Sequence, residues 1–405
     1  MIQNIQIKQT LLVKGPARIN LLEGKIEVFG KIFKKEKSTQ NSAIIVPSAN
    51  TYPLHALEPS KLEIYTNRED NIQLIEEDTI SKEWVKIKDI VIEEIKKRSV
   101  KAPLKVMVLG ISCGKTTLIK YLANHILREG LKGGYLDSDL GQQLMYLPTT
   151  INIGEIKDFI ISSTDIETEE TVFIGSTFPK SNYKFIIAHS CRDLIDEYIK
   201  KHKNTHVILI DSDGWIKTEA GIIYKNYFIE KIDPDILIIF HDDSIEELKV
   251  IEKNASKSKS RKILLVKEKN EYFYEKSKDE RRFLRQSQFA KVLENYRKIS
   301  IPLKDIKFIR TEYDKDNSKI VEKEIEVNEL IALPYHYVII SLLTEDSKLI
   351  KIGLLFVINL EKSYILLYSD LSFKEQMMVK KILIGSLRLS IKGNHQGYLY
   401  FKEKK

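Results

Sequence analysis

Cysteine is nearly missing from these 405 residues: only Cys113 and Cys191 occur, and no C-x-x-C pair. That scarcity excludes a disulfide framework and a zinc knuckle. The eight histidines form no H-E-x-x-H. His202 and His206 have i, i+4 spacing, but they sit in the polar stretch KKHKNTH, which reads as a solvated turn rather than a metal site. No apolar run reaches the roughly 18 residues of a membrane span. The start, MIQNIQIKQT, also lacks the basic-then-apolar layout of a secretory leader, so a cytoplasmic protein with no membrane partner is expected. Internal repeats and long low-complexity linkers are absent too; KNASKSKSRK near 253–262 reads as a local exposed loop.

What remains is long enough for two or three domains, each able to bury a core. Sixty-five Lys and Arg against 57 Asp and Glu leave a net charge of +8, which permits a polyanionic partner without requiring one. Residues 1–80 read as a small β-domain: INLLEGKIEVFGKIF and KLEIYTN carry strand-like patterns, punctuated by Gly15-Pro16, Gly24, Gly30 and Pro53. Trp84, Ile87, Val91 and Ile95 then recur at helical spacing after Ser81, a candidate N-cap, and predict a connecting helix. From 104 to about 270, buried-strand runs such as LKVMVLG, THVILIDSDG and PDILIIF alternate with helical stretches. This alternation predicts an α/β fold, a parallel sheet covered on both faces. The last third returns to strands. The expected architecture is a central α/β domain, 81–300, flanked by mainly-β domains at 1–80 and 301–405.

The stretch VMVLGISCGKTTLIKYL, residues 106–122, supplies the first chemistry. A strand, a glycine-bearing turn and a helix form the setting of a phosphate-binding loop, in which backbone N–H groups and a helix N-terminus surround phosphate. Gly110, Ile111, Ser112, Cys113, Gly114, Lys115, Thr116 and Thr117 are the candidate nucleotide-binding residues, with Lys115 for the terminal phosphates and Thr116 for Mg²⁺. The usual spacing G-x-x-x-x-G-K-[ST] would put its first glycine at Leu109, whereas the glycine stands one step later at Gly110. Either the loop is one residue shorter, or Leu109 tolerates the turn. A carboxylate from a neighbouring strand end is also needed for Mg²⁺. GGYLDSDLGQQ offers Asp137 and Asp139, which otherwise would be two solvated carboxylates in a turn.

The succession GKTTL, DSDLGQ, PTTI, FIGSTFP, IDSDGWIK and IDPDILII resembles the polynucleotide 5′-hydroxyl kinases, the family of the pre-mRNA cleavage-factor and ribosomal-RNA-processing kinases and their archaeal relatives. GPARINLLEGKIEVFG and LIGSLRLSIKG are similar to the two ends of that family. The resemblance implies Mg²⁺-dependent transfer of the γ-phosphate of ATP or GTP to the 5′-hydroxyl of a single-stranded RNA, with DNA also open. It implies Lys115 and Thr116 at the phosphates and Asp139 as the group that orients or deprotonates the 5′-hydroxyl, with Asp137 as second candidate. Gln142 would lie near the acceptor end. SKDERRFLRQSQFAKVL, 277–293, looks like the family's arginine-bearing lid, with Arg281 and Arg285 on one helical face; the plainer meaning of such a run is a solvated helix laced with ion pairs. Trp215 either stacks on a terminal base or packs under the following helix, and Thr149 and Thr150 either contact the strand or cap INIG. Asp213 stands where the family has Thr or Ser, adding a negative charge to the path of a polyanion. A nucleotide-bound scaffold of an RNA-processing complex is the alternative function. A switch GTPase is disfavoured by the missing Asn-Lys-x-Asp motif.

Overall fold

The computed structural model describes residues 1–35, 43–98, 102–143, 145–162, 165–268, 271–272 and 275–401. In the N-terminal region, strand alternation sorts side chains between two antiparallel sheets. Within Ser60–Thr66, Leu62 and Ile64 point inward while Lys61 and Glu63 stay partly exposed. One sheet runs Ile2–Ile5, Ser60–Thr66, Ala17–Glu23, Ile44–Val46; the other runs Lys31–Lys34, Lys25–Val28, Thr51–Ala56, Thr10–Lys14, Ile72–Ile75. Their apolar faces share a single core that also takes in Ile161 of the next domain.

Helix α1 (Lys82–Lys97) follows as its periodicity predicts. The Ser81 hydroxyl accepts from the Trp84 amide, and Trp84, Ile87, Val91 and Ile95 are the buried stripe. That stripe packs, together with α2 (Lys115–Arg128), on one face of the central sheet. Helices α3 (Tyr183–Lys201), α4 (Glu219–Ile232) and α5 (Glu246–Ala255) cover the other face. In strand Leu104–Leu109, Met107 and Leu109 enter one core and Leu104, Val106 and Val108 the other, which is why the whole run is apolar.

The sheet order is Glu170–Phe173, Thr150–Glu155, Gly133–Asp137, Val207–Asp211, Leu104–Leu109, Ile236–Phe240, Lys262–Val266. The expected parallel sheet is thus only part of it: Thr150–Glu155 and Glu170–Phe173 add on antiparallel and make the sheet mixed. The chain returns antiparallel after Asp137, with Asp137 opposite Asn152.

The C-terminal region is an eight-stranded, mostly antiparallel sheet. Its first strand, Arg297–Pro302, pairs with Tyr364–Ser369, so this domain begins before residue 301 and the boundary expected there cuts through a strand. Helix α6 (Lys278–Leu293), closed by a Ser277/Glu280 capping box, buries only Phe289 and Leu293. Both join Leu147 and Phe173 in a core completed by Ile339, Leu354 and Leu387 of the C-terminal sheet. Among the described residues no helix is long and apolar enough to cross a membrane.

The central and C-terminal domains meet backbone to backbone at Gly175, whose carbonyl accepts from the amides of Ser386 and Leu387 at 2.8 and 3.0 Å. A Cβ on Gly175, at φ +74°, would lie 2.3 Å from the Gly385 Cα. Gly175→Ala should therefore lower Tm by about 5 °C or more through overpacking at this seam. Gly130→Ala, at φ +70° with nothing within 4 Å, should cost clearly less; parallel thermal melts check both.

Candidate functional site

The phosphate-binding loop begins at Gly110, not before it. Leu109 is the last residue of its strand, paired with Ile239 and fully buried, so the loop is the shorter of the two forms left open by the spacing. Gly110 must be glycine: at φ +153°, a Cβ would sit 2.4 Å from the Cys113 Sγ and 2.8 Å from the Phe240 Cβ. Ser112 and Gly114 also have positive φ, 45° and 89°, and these reversals wind the loop into the first turn of α2. Lys115 opens the helix, and its Nζ donates to the Gly110 carbonyl at 2.9 Å, spanning the loop. Burial pushes the Cys113 thiol up to about 11.

Parallel register then brings carboxylates to the loop. Asp211 ends its strand opposite Val108 on one side and Asp137 on the other. The Thr116 hydroxyl donates to Asp211 Oδ2 at 2.6 Å, and the Tyr135 hydroxyl reaches the same oxygen at 3.2 Å. Asp211 is buried, which raises its pKa; the Lys115 charge and the Thr116 hydrogen bond oppose that rise. A hydroxyl and a carboxylate joined in this way fit a Mg²⁺ shared with nucleotide phosphates. Sequence reasoning missed Asp211, although VILID, an apolar strand ending in Asp beside the loop strand, carried the signal.

Asp137 and Asp139 separate. Asp137 is buried and accepts the Asp139 amide at 3.1 Å, while Asp139 alone reaches the cleft. Asp139 Oδ1 accepts the amides of Gly141 and Gln142 at 2.9 and 3.0 Å, which orients the carboxylate. A Cβ on Gly141 would be 3.6 Å from that Oδ1, 3.3 Å from the Thr177 carbonyl and 3.3 Å from Arg285 Nη1. The carboxylate and the second lid arginine thus stand around one glycine. Arg281 Nη2 donates to the Ser112 hydroxyl at 2.6 Å, so α6 lies over the phosphate loop itself rather than out in solvent. Gln142 lines the cleft and ties down the helix, its Nε2 donating to the Arg281 carbonyl at 3.2 Å.

The remaining candidates are placed as follows. Trp215 packs against the core beside α4 and also lines the cleft, its ring 4.9 Å from exposed Phe178. Thr149 and Thr150 are fully buried and outside the cleft wall, contrary to substrate contact. The Thr150 hydroxyl instead donates to the Leu147 carbonyl at 2.6 Å, and the Thr149 carbonyl accepts from Ile174 and Gly175. Asp213 does not present a bare charge, because Lys225 Nζ lies 2.9 Å from its Oδ2 and the Trp215 amide bonds its Oδ1 at 2.8 Å. Lys225, from α4, has no exposed side chain, and burial lowers its pKa while Asp213 raises it. Two more cations escaped the sequence reading. Lys120, pushed down to about 8 by burial, and Lys276 both line the cleft. The cleft as a whole has about 1840 Å³ and opens between all three domains.

Residues 110–295 match the family described as mRNA cleavage and polyadenylation factor CLP1 P-loop. Through this region the chain is similar to the CLP1 P-loop family. A polyribonucleotide 5′-hydroxyl-kinase of Pyrococcus furiosus is 32% identical over 209 residues, 51% of this chain and 56% of that relative. One of Methanocaldococcus jannaschii is 26% identical over 336 residues, 73% of this chain and 90% of the relative. The chain therefore spans about half the length of the Pyrococcus protein and most of the Methanocaldococcus one. The structure of Clp1p in its complex with Pcf11p superposes with a TM-score of 0.74, covering 96% of this chain and 98% of that one at 12% identity, which establishes the CLP1 fold across all three domains.

Removing one partner of the Lys225–Asp213 pair leaves a buried charge unmatched. Lys225→Met should destabilise the protein by about 3–5 kcal/mol, and adding Asp213→Asn should restore part of that loss. Denaturant unfolding of the three variants measures the coupling.

Proposed function

We propose that this chain is a cytoplasmic polynucleotide 5′-hydroxyl kinase that moves the γ-phosphate of ATP or GTP to the 5′-hydroxyl of single-stranded RNA. One observation supports this reading above others: Asp139, Lys115 and two lid arginines converge on one cleft, with the arginines already in contact with the phosphate loop and with the Gly141 turn. An ATPase that attacks with water needs no lid anchored on a separate β-domain, and no cleft large enough for a second polyanion. That the relatives bear the name polyribonucleotide 5′-hydroxyl-kinase favours RNA over DNA.

The chemistry follows from placement. Phosphate entering the loop would take up the amides of residues 110–114 and draw the Lys115 ammonium away from the Gly110 carbonyl. Thr116 and Asp211 would hold Mg²⁺, which would supply neutralisation of the phosphate charge. The acceptor's 5′-oxygen attacks the γ-phosphorus as the bond from that phosphorus to the β–γ bridging oxygen breaks, and its proton passes to Asp139. Asp139 suits this role because two amides fix Oδ1 and leave Oδ2 to the hydroxyl. Charge on the three equatorial oxygens of the loose transition state falls to Arg281, Arg285 and Lys115. The Phe178–Trp215 pair would stack the first base, fixing the strand's end in line. With Asp213 neutralised by Lys225, the departure at that position does not repel the strand, which weakens the scaffold alternative.

Labelled γ-phosphate transfer from ATP and from GTP to a short 5′-hydroxyl RNA and its DNA counterpart tests the proposal. Asp139→Asn should bind Mg-nucleotide normally and lose about 10²–10⁴ in kcat, Lys115→Ala should lose transfer altogether, and Asp211→Asn should raise the Mg²⁺ concentration needed for half-maximal rate. Nucleotide bound but never consumed would instead mark a scaffold.

A further inference from the structure

Beyond the Phe178–Trp215 pair, a second group of rings stands at the rim of the cleft and takes no part in the steps above. Strand His395–Tyr398 pairs with Lys381–Leu389 and brings the chain's end back to the Thr177–Lys180 turn. The Tyr398 hydroxyl and the Thr177 hydroxyl are 2.9 Å apart, and the carbonyl of the same Thr177 borders Gly141 together with Asp139 and Arg285. Tyr400 lies 6.2 Å, ring to ring, from Tyr398, and His395 lies 4.9 Å from Tyr398. Lys180 Nζ stands 5.3 Å over the Tyr400 ring, which nevertheless is 60% exposed. The turn preceding the strand is pressed onto the lid helix: a Cβ on Gly393, at φ +79°, would be 2.9 Å from the Ala290 amide nitrogen of α6.

We infer that Tyr400, backed by Tyr398 and His395 and capped by Lys180, is a second stacking platform that receives a base of the acceptor strand downstream of the nucleotide being phosphorylated. The inference rests on the kinase reading and extends its substrate site onto the C-terminal domain. A strand whose 5′-oxygen meets Asp139 has to leave the cleft somewhere, and the Thr177–Lys180 turn links that carboxylate to the Tyr400 ring. Two features favour nucleic acid over a peptide. Beyond Asp139 the route offers cations, Arg282 and Arg285 in the cleft wall and Lys180 over the Tyr400 ring, which suits phosphates between the bases. An exposed ring beside an ammonium is also the arrangement that stacks any base regardless of sequence. Burial and the charges of Arg285 and Arg282 lower the His395 pKa, so at neutral pH that ring is an uncharged stacking face. Because the same strand leans on α6, occupancy of the platform would also steady the lid at the moment of transfer.

The test compares acceptors on the intact protein: adenosine 3′-phosphate, a 5′-hydroxyl tetraribonucleotide, and the same tetramer abasic at its second to fourth positions. For the wild type, kcat/KM should be higher for the tetramer than for the other two. Tyr400→Ala should cut the tetramer-to-adenosine 3′-phosphate ratio about tenfold, in line with the loss of one stacked base, whereas Tyr400→Phe should retain it. The abasic tetramer should not distinguish Tyr400→Ala from wild type. A ratio unchanged by Tyr400→Ala, or a loss that persists on the abasic strand, overturns the platform while leaving the kinase intact. If wild type phosphorylates none of the acceptors, the kinase reading fails by itself. Anisotropy of a 3′-fluorescent tetramer then decides the platform: about tenfold weaker binding to Tyr400→Ala supports it, and equal binding rejects it.

Discussion

The site depends on the parallel register at the centre of the sheet. Val108 lies opposite Asp211, and Asp211 opposite Asp137, so the carboxyl ends of three strands reach the same level. From that level the chain can turn into α2 and aim Thr116 at Asp211 across 2.6 Å. Buried carboxylates are costly unless bonded, and Asp211 is held by two hydroxyls in a place where a divalent cation could join them. A slip of one residue would turn Asp211 to the opposite face of the sheet and leave Thr116 without its partner. The loop, the Thr116–Asp211 pair and the Asp139 turn all inherit their positions from this alignment.

Around that fixed floor the other two domains complete the cleft. The N-terminal sandwich supplies one wall and shares Ile161 with the central domain, and its Tyr52 hydroxyl donates to the Ile161 carbonyl at 2.7 Å. The C-terminal sheet holds the lid from behind, by burying Phe289 and Leu293 while the first half of α6 carries its arginines over the loop. A helix with so little buried area would be marginal alone; its capping box and this two-residue anchor set its direction. The Gly175–Gly385 seam joins the C-terminal sheet to the central domain a second time.

Much of this was legible without coordinates. The apolar spacing of α1 and its Ser81 cap come from a short-range rule, as does the strand-loop-helix setting of Lys115 and Thr116. What escaped depends on distance along the chain. Asp211 lies nearly a hundred residues from Thr116, so only strand order makes them partners, whereas Asp137 and Asp139 follow the loop closely in sequence. Asp213 read as a repelling charge because Lys225, a turn and a half into α4, gives no sign in sequence that it folds back onto it. The run 277–293 gives no sign in sequence that Arg281 reaches Ser112 of the loop.

By itself, then, the sequence determined the three-part architecture, the identity of the phosphate loop and the carboxylate-bearing turn after it, because local spacing and periodicity encode those features directly. Only the tertiary structure decided that the loop starts at Gly110, that Asp139 rather than Asp137 faces the cleft, that Thr149 and Thr150 turn inward, and that the Tyr398 hydroxyl meets that of Thr177. Each of these is settled by which side of a strand a residue faces and by what packs beside it, and neither is encoded within a short window of sequence.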